Sequence, residues 1–127
     1  MEPKLMKKDQ NEVRDFGKGL TLQILLDKAE GAQNLDLGMV SIQPKCETPM
    51  HSRVFEEVIY MLSGQGQVRT EDGKVYTLES GDYILIPEGT VHCHVNNTDT
   101  PLKQLYIFAP QAPDNIQESF RNLPVLD

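Results

Sequence analysis

Apolar and β-branched residues in this chain fall in short runs broken by Gly, Pro, Asn and Asp, and no stretch sustains a helical three-to-four spacing. Leu20–Leu26 and Leu35–Ile42 read as strands, the second ended by Pro44 and carrying Gly38 as a bulge or a point of close contact. Pro49 forbids a helix interior in the extended segment from Glu47 to Arg53. Glu57–Leu62 has the β-branched and aromatic content of a strand and closes in Ser63-Gly64-Gln65-Gly66. Asp72-Gly73 sits between the alternating runs Gln67–Thr70 and Lys74–Leu78, which is a strong hairpin signal. Gly81 then leads into an apolar strand, Pro87-Glu88-Gly89 turns the chain, and a further strand carries His92 and His94. Leu102–Ala109 supplies one more. In a strand, side chains alternate faces, so His92, His94 and Asn96 point one way and Cys93 and Val95 the other.

The pattern predicts about eight or nine short strands and an all-β sandwich or small barrel. Residues 1–19 are polar and lack a period, which reads as an arm or poorly ordered lead-in. The tail, 111–127, is expected to hold a short helix around Asn115–Arg121 or to pack as an irregular strap. No linker, repeat or low-complexity segment divides the chain, so 1–127 is read as a single domain with its barrel over about 20–110.

Composition narrows the function classes. A net charge of -7 argues against a nucleic-acid surface, which needs a basic face. The charged start and the brevity of the longest aliphatic run argue against a leader or membrane span, so the cytoplasm is expected. Cys46 and Cys93 are expected as plain thiols there. Met39, Met50 and Met61 are expected in the core or lining a pocket.

The chain has three histidines, and all lie in the turn-rich segments just described: His51, His92 and His94. His51 shares a face of its extended segment with Arg53, and Glu57 begins the next strand on a face with Ile59 and Met61. Imidazoles and a carboxylate presented together suit a metal or ligand site at a barrel mouth. Tyr106 shares parity with Gln104 and Phe108, so these three can line the same pocket.

Gly81, Pro87, Gly89, His92 and Asn96 keep the spacing of the second motif of the cupin superfamily, which the chain resembles. The first cupin motif is matched by His51, Glu57 and Gly64. It is broken where Lys45 stands for the leading glycine and Arg53 for the second histidine. The resemblance implies a double-stranded β-helix, or jelly-roll, barrel with a metal inside. It carries His51, Glu57 and His92 over as metal ligands, with Fe, Mn, Ni or Zn as the divalent ion. His94 is the candidate to replace the missing ligand or to hydrogen-bond a substrate. Arg53 admits three readings: an inward guanidinium that grips an anion, a partner that neutralises Glu57, or a solvated side chain at the rim.

Two functions follow from different classes. One is a metal-dependent enzyme acting on a small, anionic organic molecule by dioxygenase, isomerase, decarboxylase or lyase chemistry, with Arg53, His94 and Tyr106 at the substrate. The other is a non-catalytic small-ligand or sugar-binding module with a degenerate metal site. A scaffold role is the third reading. The resemblance also implies a homodimer with exchanged terminal segments and paired sheet edges.

Overall fold

A computed structural model describes residues 2–126. Its strands are β1 (Arg14–Gly17), β2 (Leu20–Leu26), β3 (Asp36–Ile42), β4 (Glu56–Ser63), β5 (Gly66–Thr70), β6 (Val75–Leu78), β7 (Tyr83–Ile86), β8 (His92–Val95) and β9 (Leu102–Ala109). Helix α1 (Asp114–Arg121) follows them. All pairing is antiparallel, in a six-stranded sheet ordered β1-β2-β3-β9-β4-β7 and a three-stranded sheet ordered β6-β5-β8.

Alternation along the strands builds the core. In β9, Leu102, Gln104, Tyr106 and Phe108 are buried, while Lys103 and Ala109 are exposed. In β4, Glu57, Ile59 and Met61 face inward. Val68 and Leu78 of the smaller sheet pack in one cluster with Leu22, Ile42, Ile59 and Leu102 of the larger, so the two sheets face each other across a shared interior. Burying each of these large aliphatic side chains is worth about 1.5–3 kcal/mol. Met61 belongs to this core, but Met50 does not: it is half exposed on the surface.

The strands and the Asp72-Gly73 hairpin lie where the residue pattern places them. The stretch read as an arm is where the structure differs. Arg14–Gly17 pairs with β2, and the C-terminal segment closes over it, with Asp15 N–H donating to the Pro124 carbonyl and Leu126 N–H to that of Val13. Phe16 is the only large apolar residue in this strand, so long-range backbone pairing forms it without a hydrophobic period. The tail does form a helix, and its Ile116, Phe120 and Leu123 pack on the core. Arg121 fastens it, its Nε and Nη2 donating to Asp27 at 3.1 and 2.7 Å and Nη2 also to Glu30 at 2.7 Å. Among the described residues no helix is long and apolar enough to cross a membrane.

Two backbone positions shape the interior. Lys45 holds a φ of 62°, the left-handed conformation that costs a non-glycine residue roughly 1–2 kcal/mol. A glycine at this position would adopt the same conformation without that cost. Gly38 pairs with Tyr106 in the β3–β9 register, and any Cβ there would collide with the Tyr106 ring. Gly38 is a close-contact point, and the β2–β3 bulge falls elsewhere, between Ile24 and Leu26.

Gly38→Ala is therefore expected to destabilise the protein by about 1–3 kcal/mol, the usual cost of overpacking. In a Tyr106→Leu background the same change should cost less. Denaturant unfolding of the two single variants and the double variant measures the difference, and simple additivity would remove the ring contact as the cause.

Candidate metal centre

Backbone pairing brings the sequence-distant histidines together. His51 and His92 exchange two hydrogen bonds, each N–H donating to the other's carbonyl at 2.9 Å. One step further, Thr48 N–H donates to the His94 carbonyl, and His94 N–H to Thr48 Oγ1, both at 2.9 Å. The segment before β4 thus runs as a partial strand beside β8. Glu57 reaches the same point from the other sheet.

The nitrogen and oxygen donors of His51, Glu57, His92 and His94 lie within 4.8 Å of one another. Glu57 Oε1 is 3.3 Å from His92 Nε2 and 3.6 Å from His94 Nε2. Relative exposures of 4% for Glu57, 0% for His92 and 6% for His94 place this polar cluster inside the fold. Such groups are stable in a low-dielectric interior only when satisfied or paired.

Two of the imidazoles are held by the same device. The Nδ1 atoms of His51 and His92 each lie 2.8 Å from the carbonyl two residues earlier, Pro49 and Thr90. A carbonyl can only accept, so in both rings Nδ1 carries the proton and Nε2 of the neutral ring keeps its lone pair. That lone pair on His92 faces a carboxylate oxygen. Two acceptors this close require a cation between them, either a proton or a metal ion. Orientation of a ring by a carbonyl behind it is the usual arrangement around metal-bound histidine, and the N and O donor set suits a divalent transition metal. His94 differs: its Nδ1 is buried with no hydrogen-bond partner among the described residues.

Charge follows this geometry. Burial pushes Glu57 up, but hydrogen bonds and positive charge from His92 and His94 outweigh it and hold the carboxyl below the usual range. Burial disfavours a charged His92, yet its contacts with Glu57 and the Thr90 carbonyl leave it raised. His51 is pushed down to about 4, chiefly by burial, with Arg53 and the other two histidines adding to the effect.

The cluster opens on a cavity of about 180 Å³ that reaches along β9 past Phe108 and Tyr106 to Gln104. Arg53 lines it with His51, so the rim reading gives way to the inward one. No ion pair joins Arg53 to Glu57, which sets aside the neutralising reading too. The guanidinium carbon lies 5.7 Å from the centroid of Phe108 and 5.8 Å from that of Phe120. Its Nε is buried without a hydrogen-bond partner. Asn96 shares parity with the histidines but is structural. Its amide donates to the carbonyls of Ile42 and Thr100, and its oxygen accepts from Thr98. Cys93 points away from the cavity, as its parity requires.

Sequence reasoning missed Phe16 and Phe120, which complete the cavity wall from the two terminal segments. The i, i+4, i+7 spacing of Ile116, Phe120 and Leu123 is the signal that marks the second of them.

The Cupin domain family matches residues 38–108 of this chain, more than half of its 127. Gentisate 1,2 dioxygenase 1 from Aquipseudomonas alcaligenes is 29% identical over 69 residues, which is 54% of this chain and 20% of that protein. A gentisate 1,2-dioxygenase from Ralstonia sp is 30% identical over 77 residues, 61% of this chain and 22% of the relative. The chain thus spans about a fifth of the length of these curated relatives. Among solved structures, the polyketide cyclase RemF from Streptomyces resistomycificus superposes with a TM-score of 0.77 at 23% identity, covering 88% of this chain and 82% of that one. An RmlC-like cupin from Shewanella frigidimarina gives 0.76 at 23%, covering 91% and 96%. KdgF from Halomonas sp. gives 0.76 at 19%, covering 89% and 99%. At these identities the likeness shows the fold alone, which is the jelly-roll barrel.

The state of His51 is testable through pH. A histidine in the unfolded chain takes up a proton near pH 6.5, whereas His51 in the folded protein does so near about 4. Between these values the unfolded state binds more protons, so this contribution to stability is present above pH 6.5 and is lost as the pH falls toward 4. His92, shifted the other way, acts in the opposite sense, so the informative quantity is a difference. Metal-free protein is expected to lose stability more steeply across this window than His51→Gln does. Equal slopes in chemical denaturation would rule out a neutral His51.

Proposed function

This chain belongs to the cupin family, and we propose that it is a metal-dependent enzyme acting on a small organic anion. The observation that carries this reading is the convergence of His51, Glu57, His92 and His94 at one end of a cavity that Arg53 also lines. When bound, a divalent ion of Fe, Mn, Ni or Zn would supply Lewis acidity or redox chemistry according to its identity. The gentisate 1,2-dioxygenase names of the relatives and the polyketide cyclase name of a structural neighbour support catalysis in such a barrel.

The chain's own residues divide the work. Arg53 meets the anionic group of the substrate with N–H donors that the protein leaves without acceptors. Tyr106 is held protonated, first by burial and then by the negative charges of Asp36, Asp27 and Glu57, so its hydroxyl serves as a hydrogen-bond donor. His94 lines the cavity beside Glu57 and is the further polar group there for a bound molecule to meet. Aliphatic and aromatic side chains line much of the rest of the cavity. The binding-module reading draws on a different observation, Arg53 at a motif ligand position.

Protein purified without chelators is expected to hold about one transition-metal ion per chain by elemental analysis, and His92→Ala and Glu57→Ala to lose it. The loaded protein should convert a small carboxylic acid, with turnover abolished by a chelator and restored by the ion. Failure to hold any of the four metals after reconstitution would end the metalloenzyme reading. Stoichiometric metal without turnover across a panel of such acids would favour the binding module.

A homodimer is part of the same proposal. Strand β7 is the last of its sheet, and Tyr83 and Leu85 stand exposed there beside Tyr60 and Leu62 of β4. Light scattering is expected to give twice the chain mass at micromolar concentration, and a single-chain mass would remove the dimer.

A further inference from the structure

We infer that the molecule this site takes is a carboxylic acid with a flat, apolar body about the size of one six-membered ring, and not a sugar acid. The inference rests on the anion-binding role proposed for Arg53 and adds the nature of the carbon skeleton.

Size comes first. The cavity measures about 180 Å³, and an apolar cavity of about 150 Å³ is enough to hold benzene. One ring with a small charged group fills this space. A longer chain or a fused ring system would extend beyond it.

The lining then selects among molecules of that size. Leu20, Leu22, Val40, Ile59, Phe108 and Phe120 are among the residues that make the wall mainly apolar. Tyr106 and Phe108 lie with ring centroids 4.6 Å apart, giving β9 a continuous aromatic surface. Beyond Arg53 and the histidine–carboxylate cluster, the polar side chains on the cavity are Thr48, Gln104 and Tyr106, and Thr48 Oγ1 already accepts from His94 N–H. A sugar acid would bring a hydroxyl on nearly every carbon, and most would be buried against aliphatic carbon without a partner. Burial without a partner is the costly outcome for a hydroxyl. A flat apolar ring loses nothing against these walls and gains contact with the aromatic surface.

Arg53 fixes the position of the charge. The flanking rings of Phe108 and Phe120 support the guanidinium, and no acceptor among the described residues meets its buried Nε. A planar carboxylate is the complementary partner for this fork. The ligand therefore lies with its acid at Arg53 and its ring along β9.

Part of this wall lies outside the stretch that matches the family model. The four cluster residues fall inside the region that matches the cupin family, 38–108, whereas Leu20, Leu22 and Phe120 fall outside it. The metal donors lie within the matched stretch, and the shape of the ligand is set in part by β2 and α1, which flank it.

The test uses benzoate, glucuronate and toluene as probes, on protein stripped of metal and on metal-loaded protein, with ligand-observed NMR and calorimetry. Benzoate is expected to bind both forms. Arg53→Met is expected to weaken benzoate by about tenfold or more, as loss of a charged hydrogen-bond pair implies, while toluene binds the variant as it binds the parent. Toluene retention also shows that the variant is folded. Val40→Phe, which fills the cavity, should exclude both benzoate and toluene. Glucuronate binding as tightly as benzoate, benzoate unaffected by Arg53→Met, or no benzoate binding to either form would each overturn the inference. A protein that never holds metal would end the enzyme reading while the metal-free measurement still decides the ligand class. Metal held without benzoate binding would overturn the ligand class and leave the metal site standing.

Discussion

A carboxylate buried among three imidazoles is the constraint on which the rest of this molecule turns. Taking Glu57 out of water costs several kcal/mol unless positive charge and hydrogen bonds offset it. The fold meets that cost locally, with His92 and His94 against the carboxylate oxygen. It also commits two backbone carbonyls to hold the Nδ1 protons of His51 and His92. The Thr90 carbonyl turns the His92 ring so that Nε2, unprotonated in the neutral ring, faces the acid. The result is a cluster short of one cation. A proton can fill that role at the expense of one histidine's neutrality, and a divalent ion can fill it for all four donors together. Deleting Glu57 would remove the carboxylate that His92 and His94 face, and deleting the histidines would leave a bare buried anion. The donor set therefore stands or falls as a unit.

The geometry also explains which features were legible in the residues. Strand alternation and turn chemistry are local, and they place the inward faces of β4, β8 and β9. His92 with His94, Glu57 with Ile59, and Tyr106 with Phe108 can all be assigned from parity alone. Gly38 was legible as a special position, but not as the floor beneath the Tyr106 ring, because that requires the β3–β9 register. The contribution of the terminal segments was less accessible. Residues 14–17 have no alternation of their own and become a strand by pairing with β2 and with the C-terminal chain. Such long-range pairing leaves little trace in composition. Asn96 shows the opposite limit: parity puts it on the histidine face, yet its side chain is consumed in shaping the turn after β8.

Arg53 illustrates how a broken motif can be more informative than an intact one. Its position excludes a metal ligand, since a guanidinium has no lone pair to offer, and three destinations for its charge were open from the sequence. The structure removes two of them by placing the side chain along the cavity wall, without an ion pair to Glu57 and with its body against Phe108 and Phe120. Burial lowers its affinity for its proton, and the charge of Glu57 works against that loss. A guanidinium remains charged under these conditions. The fold thus holds a cation with unused donors a short way from the place where another cation is needed.

That pairing bears directly on what the site can accept. One carboxylate, Glu57, faces a guanidinium and the cation that the cluster calls for, so positive charge is in excess in a low-dielectric space. Coulomb interactions there are several-fold stronger than in water, and an anion entering the cavity relieves the imbalance while a neutral molecule does not. The walls impose a second, independent condition, because aliphatic and aromatic carbon rewards an apolar skeleton. Charge selection comes from Arg53 and the cluster within the shared cupin barrel. In the proposed binding mode, skeleton selection comes in part from β2 and α1, whose Leu20, Leu22 and Phe120 lie outside the stretch that matches the family model, with α1 held in place by the Arg121 contacts to Asp27 and Glu30. Because the two conditions are met by different residues, the apolar wall can change while the charged centre stays as it is.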